Sequence, residues 1–351
     1  MFRRLVIAAI ALATSTLNTF AYPISPAPLW ELTKRSQLVV LADVIAITKP
    51  GMADSEEKPD RKKPVDNIFR DATARLRIRE TWKGNPVAAL DVRFPDTLIC
   101  PAPPRYVEGE VVIAFLFQNE GVWETTSLSY GTIYPRRDDV ADFRRLVLEA
   151  VTLQVSTEVT HGNVIKWHVE AASHPGTRWH GLYFLVPESD KLHSYYDQGG
   201  KQNKAGRLTP TELKQIADAF VAAPPTDRTL PMTLAVLSEF PDDSVSLAAA
   251  SAVEALLAEE PPPWWLRDAF AQIFRRYGGH EESEDRLRTL GQEFSEVDPF
   301  VQALGDDFSE VSAEQMRAVW EQARKALGIP KAPPAKVLEE EVWGVASNTP
   351  S

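Results

Sequence analysis

The sequence predicts an α+β protein in which a small OB-like β-barrel precedes an all-helical domain. Short alternating or wholly apolar runs, rich in β-branched residues, crowd the chain between residues 37 and 129. From residue 137 to residue 328 the apolar residues recur with the three-to-four spacing of helices. A length of 351 residues, 44% hydrophobic and 25% charged, fits about two soluble globular domains at roughly 150 residues each.

The first 21 residues read as an address. Arg3 and Arg4 form a basic start, Leu5 to Ala13 is an unbroken apolar run, and Thr19-Phe20-Ala21 places small residues where a signal peptidase cuts. The apolar run is too short to span a bilayer, which takes about 20 residues. Cleavage after Ala21 and export to the periplasm or the exterior are expected; retention as an N-terminal anchor is the alternative.

Residues 22–136 are expected to form the barrel. Gln37 to Ile47 is dense in Val, Ile and Leu, as in a strand buried on both faces. Gly51 to Asp66 lacks periodicity and reads as an exposed loop. Next, Ala74, Leu76 and Ile78 alternate with Arg75, Arg77 and Arg79, which places a core on one face and water on the other. Lys83-Gly84-Asn85-Pro86 is a turn, after which Leu90, Val92 and Phe94 define a third strand. Beyond Pro101, Pro103 and Pro104, the run Val111 to Phe117 predicts a central strand, and Val122 to Ser129 a fifth. Five short strands with an attached helix are enough to close a small barrel.

From Leu38 to Tyr134 the chain resembles the netrin-like or TIMP-like variant of the OB-fold, found in many secreted bacterial proteins. The likeness rests on Leu38-Val39-Val40-Leu41-Ala42-Asp43-Val44, Trp82-Lys83-Gly84, Gly109 ahead of the Val111–Phe117 strand, and Ser129-Tyr130-Gly131. It implies a barrel. Inhibitory members of that superfamily chelate a protease zinc through a mature N-terminal Cys. The expected mature end here is Tyr22 and the single Cys100 lies inside the domain, a departure from the pattern that inhibition needs.

Residues 137–328 are expected to be helical, with 137–151 as a linking helix whose Val140, Phe143, Leu146 and Val147 close the barrel. Thr209-Pro210-Thr211-Glu212 spells a capped helix start, and Leu213, Ile216, Ala217, Phe220 and Val221 follow as a stripe up to Pro224-Pro225. Further helices are expected near Pro231–Glu239, Ser244–Glu259, Pro263–Tyr277 and Glu281–Glu293. Ser312 and Gln315 open a last one, striped by Met316, Val319, Trp320, Ala323 and Leu327. Short turns between them predict irregular, HEAT-like helix pairs without a strict repeat. The acidic, Pro-containing tail 329–351 is expected to be mobile, with Trp343 able to dock back.

Charge and cysteine content narrow the function. A net charge of −11 argues against nucleic-acid partners, which need a basic surface. Acidity grows along the chain: residues 22–150 carry 18 basic and 19 acidic side chains, residues 281–351 carry 7 and 15. One Cys cannot form an internal disulfide, and in an oxidising compartment a lone thiol is expected to be buried.

Five of the six histidines fall between His161 and His193, but no metal-binding frame such as HExxH surrounds them. Glu170 with His174, and His193 with Asp197, are the pairs at helical spacing. Ser55-Glu56-Glu57-Lys58 lies in a hydrophilic loop without its companion motifs, and no GxSxG, GxGxxG or P-loop occurs. No catalytic residue, metal ligand or cofactor is therefore assigned. The aromatic residues Trp167, Trp179, Tyr195, Tyr196, Trp264 and Trp265, with Arg178, are of the types enriched at protein interfaces, or else in the core joining the two domains. The expectation is an exported, non-enzymatic protein that contacts another protein, without stable membrane insertion. A hydrolase sited in residues 161–197 is the alternative, and a netrin-type peptidase inhibitor a weaker one.

Overall fold

The computed structural model describes residues 26–49, 71–96, 102–186, 208–260, 262–277 other than 264, 267 and 275, and 313–333. The expected signal peptide, the 51–66 loop, Cys100, the 281–293 helix and Trp343 lie outside the described residues. The fold is mixed α+β, built around a six-stranded sheet.

Strand β1 (Leu38–Thr48) is the hub, pairing antiparallel with β2 (Asp71–Lys83) on one edge and with β4 (Val111–Asn119) on the other. β2 pairs with β3 (Ala89–Pro95), β4 with β5 (Val122–Thr125), and β3 lies parallel to β5 through Val92↔Trp123 and Arg93↔Glu124 alone. The ladder thus runs β1, β2, β3, β5, β4 and returns to β1. A sixth strand the sequence did not suggest, β6 (Thr132–Ile133), adds to β4 beyond β5. Register shifts at Val39/Val40, Leu41/Ala42 and Val44/Ala46 bend β1, because each bulge sharpens local twist.

The unbroken apolar runs of β1 and β4 are explained by two cores. Leu38, Val40, Ala42, Val44, Val112, Ala114 and Leu116 enter one, with the inward residues of β2 and β3. Val39, Leu41, Val111, Ile113 and Phe115 enter the other, against helices. On β2, Arg75, Arg77 and Arg79 point outward as expected. Arg75 Nη1 donates to Asp91 at 2.7 Å, and Arg77 and Arg79 both bond Asp43, at 3.0 and 2.9 Å from Nε. Burial raises the Asp43 carboxyl, but these two arginines outweigh it and hold it below the usual carboxylate range.

The second core is capped by α1 (Leu29–Arg35), α2 (Val140–Val155) and α3 (His161–Ala172). Helix α2 begins after a 3-10 turn at Arg137–Asp139 and buries Phe143, Leu146 and Val147 of the expected stripe together with Ala150, while Val140 is half-buried. Helix α1 was not legible because seven residues show no period; its Glu31 near the start and Lys34 and Arg35 near the end suit the helix dipole.

A third core binds α4 (Arg178–Leu185), α5 (Pro210–Ala222), α6 (Thr229–Val236), α7 (Asp243–Leu256), the helical residues 268–274, and α8 (Ala313–Leu327). Helix α5 has both halves of its capping box: Thr209 Oγ1 accepts from Glu212 N, and Glu212 Oε2 accepts from Thr209 N at 2.7 Å. Pro231 sits in the first turn of α6 rather than at its start, a place where its missing N–H costs nothing.

Arginines close several helix ends. Arg276 donates to Leu237 O at 2.6 Å and Phe240 O at 2.9 Å behind α6, and Arg317 Nε to Leu257 O at 2.9 Å behind α7. The tail does not leave the body at residue 329: Ile329 and Ala332 are buried in the helical core. Among the described residues no helix is long and apolar enough to cross a membrane.

Candidate functional site

Among the described residues, chemistry-bearing side chains come together at the histidine-rich junction of α1, α3 and α4, in a network around His174, and in a cleft where β3 meets β5.

At the junction the histidine and aromatic side chains are packed, not presented. Gly181 lets α4 lie directly on α3, since a Cβ there would fall 2.2 Å from Ala172 N and 2.4 Å from His168 O. Trp167 is fully buried, donates from Nε1 to Leu146 O at 2.9 Å, and meets Trp30 edge-on at 5.1 Å. His180 accepts the Leu29 amide on Nδ1 at 3.1 Å. His168 stacks on Phe184 at 4.1 Å, and neither of its ring nitrogens has a hydrogen-bond partner. Burial pushes both rings down to about 3, opposed at His168 only by the nearby His180 main chain, which falls short of a hydrogen bond. Both are therefore neutral and unprotonated at pH 7.

Arg178 is 3% exposed and donates to Ala219 O at 3.5 Å and Ala223 O at 2.9 Å, at the C-terminal end of α5. Burial lowers it to about 10, against a raising pull from Asp227, so it stays charged. Trp265 is also buried, and Trp179 is half-buried, stacked on Tyr130 at 5.9 Å. The expected interaction surface is corrected accordingly: Trp167, Arg178 and Trp265 face the interior, because large apolar rings and a guanidinium able to cap a helix gain more from the core than from water. Tyr195, Tyr196 and Trp264 lie outside the described residues.

His174 belongs to a separate network on α2, α3 and α5. Its Nδ1 lies 3.3 Å from Asp142 Oδ2 and its Nε2 3.0 Å from Glu170 Oε1. Arg145 reaches Asp142 at 3.4 Å and Glu170 at 3.0 Å, and Gln215 Nε2 donates to Glu170 Oε2 at 2.8 Å. Burial raises the Glu170 carboxyl, but His174, Arg145 and Gln215 outweigh it and keep it below the usual range. A guanidinium between two carboxylates and an imidazole already supplies the positive charge a metal would bring. Among the described residues no three His, Cys, Asp or Glu side chains group so as to hold a metal ion.

The cleft has a volume of about 400 Å³, with Phe94, Pro95, Pro104, Phe117 and Leu128 as its apolar lining. Arg93 and Glu124 form an ion pair at its edge, and Thr125 shares a hydrogen bond of 2.8 Å with the buried Tyr106 hydroxyl. Burial pushes Tyr106 above the usual phenol range, so it remains a neutral partner. One wall is strained: Ser127 and Leu128 are consecutive non-glycine residues in left-handed conformation, with φ of 57° and 52°. That turn ends β5 at Thr125, four residues short of the expected Ser129. The sequence carried little sign of it: Ser127 is a turn former, but neither it nor Leu128 favours positive φ.

No protein-family model and no curated protein matches the chain.

Proposed function

We propose that the chain is an exported, non-enzymatic binding module that engages a segment of another protein at the β3–β5 cleft. The observation that carries this reading is the strained Ser127–Leu128 turn in the wall of a concave, largely apolar cleft. Each left-handed non-glycine residue costs about 1–2 kcal/mol, and such strain concentrates at ligand clamps. On this reading the ring of pairings from β1 to β5 is a closed OB-like barrel of the netrin-like kind, and the parallel β3–β5 seam is its weakest joint. The helical part is an irregular array of helix pairs that buttresses the barrel through α2 and α3.

The hydrolase alternative draws less support. His168 and His180 are sealed in packing, and both nitrogens of His174 already face carboxylates. The inhibitor alternative would need a chelating Cys at the mature N-terminus, where the expected cleavage leaves Tyr22.

Photo-crosslinking in the producing cells tests the proposal. A photoreactive residue at Leu128 is expected to give a discrete protein adduct, and one at exposed Leu148 on α2 to give none. Equal labelling from both positions, or none from Leu128, would remove the cleft from consideration. The mass of the protein recovered outside the cytoplasm tests export, with Tyr22 expected as its first residue.

A further inference from the structure

The first turn of α1 is held by a group whose hydrogen-bonding sense depends on its charge. Leu29 N–H, an orphan donor at the start of a helix, is accepted by His180 Nδ1 at 3.1 Å in a buried site. The ring accepts there only while it is neutral with its proton on Nε2; an imidazolium has a donor at each nitrogen. Protonation would set N–H against N–H beside the positive end of the α1 dipole. Nearby, His168 lies between Phe184, Trp167 and Trp30, at centroid distances of 4.1, 4.9 and 5.9 Å, with both ring nitrogens unpartnered. A charge on that ring would be buried with little beyond the nearby His180 main chain to offset it.

We infer that His168 and His180 form an acid-released latch, which holds α1 against α3 and α4 while both rings are neutral and frees it when they take up protons.

The charged groups of the surrounding elements are paired with one another or, like Lys34 on α1, Glu149 on α2 and Lys166 on α3, exposed to water. Glu31 pairs with Arg35 on α1, and Arg136 with Asp139 ahead of α2. On α2, Arg144 pairs with Glu80 and Arg145 with Asp142 and Glu170. Arg178 donates to the end of α5, and Lys83 Nζ to Thr33 O at 2.6 Å. Among the described residues no charged side chain shifts either ring, and burial is the largest influence on both. The remaining anchors of α1 do not titrate: Leu29 and Leu32 are buried in the second core beside α2, Gln154 Nε2 donates to Trp30 O at 2.9 Å, and Ser36 Oγ to Thr126 Oγ1 at 3.0 Å.

An exposed imidazole titrates near 6.5, so below that pH each ring favours the released state about tenfold per pH unit. At pH 5 this amounts to about 30-fold for one ring and about 1,000-fold for two, while carboxylates remain largely ionised.

Amide hydrogen exchange on the full mature protein between pH 7 and 5, corrected for intrinsic rates, reads the latch directly. The Leu32 and Ser36 amides, bonded to Pro28 O and Leu32 O, report on α1. Their protection is expected to fall about 1,000-fold by pH 5 in the wild type. It is expected to fall about 30-fold in His180→Asn, which keeps an acceptor near Nδ1, and in His168→Phe, which keeps the stack. Protection independent of pH in the wild type overturns the latch, whether or not either variant folds. A full 1,000-fold loss retained in both variants would do the same.

Discussion

Arg178 Nη2 lies 2.9 Å from the carbonyl oxygen of Ala223, the residue that caps α5, 45 positions further along the chain. A buried guanidinium from α4 thus satisfies the end of a helix whose final carbonyls have no partner within the helix. Arg276 and Arg317 serve the ends of α6 and α7 in the same way. The helical part is therefore joined at these helix ends by arginines, buried at Arg178 and half-buried at Arg276 and Arg317, as well as by its apolar stripes.

Removing that charge should be costly. Arg178→Ala strands Ala223 O and opens a void, and the expected loss is about 3 kcal/mol of unfolding free energy. Arg178→Lys keeps the charge but not the planar donor fork, and should recover only part of it. Urea denaturation of the three proteins checks the order wild type, Lys, Ala.

The α3–α4 contact should tolerate no side chain at position 181. In Gly181→Ala the new carbon would fall 2.2 Å from Ala172 N, and backbone on both sides leaves nothing flexible to yield. A loss of about 2–3 kcal/mol is expected, or failure to fold. Thermal unfolding measures it, and an unchanged melting temperature would contradict the close approach.

The global stability should fall with acid in a defined window. His168 and His180 have folded values depressed to about 3, against about 6.5 when unfolded, so the unfolded chain binds more protons at intermediate pH. Their contribution is complete above about 6.5 and is lost as pH falls toward 3, on the order of 4 kcal/mol per ring at the lower limit. His168→Phe removes two unpartnered nitrogens as well as the titration. It should match or exceed wild-type stability at pH 7 and lose less below pH 6, as denaturant titrations at several pH values would show.

Strain in the cleft wall should be separable from folding. Ser127→Gly makes its left-handed conformation unstrained and should stabilise the protein by about 1 kcal/mol. Leu128→Pro, which forces φ near −65°, should destabilise it by more than that gain. If the strain serves binding, Ser127→Gly should also weaken the crosslink formed from position 128.

Much of the sheet was legible, because an alternating strand states which face is buried and β1 and β4 show by their unbroken runs that both are. The capping box at Thr209 and Glu212 was equally plain, being a contact between neighbours. Helices α3 and α4 were not seen: α3 buries residues on several sides and so has no stripe, while α4 is only two turns long. Five histidines crowd residues 161–193, yet density in sequence says nothing of exposure. Burial separated His168 and His180 from His174.

By itself the sequence determined the change from strands to helices near residue 136, the outward arginines of β2, the helix stripes and the acidic drift along the chain. These follow from local chemistry, where a residue's neighbours within four positions set its environment. Tertiary structure alone decided that Arg93 meets Glu124 beside a cleft, that Trp167 and Arg178 are interior, and that the amide of Leu29 rests on a ring 151 positions away. Each depends on which distant surfaces bury one another, and that choice is made by the summed packing of the whole chain rather than by any segment's own pattern.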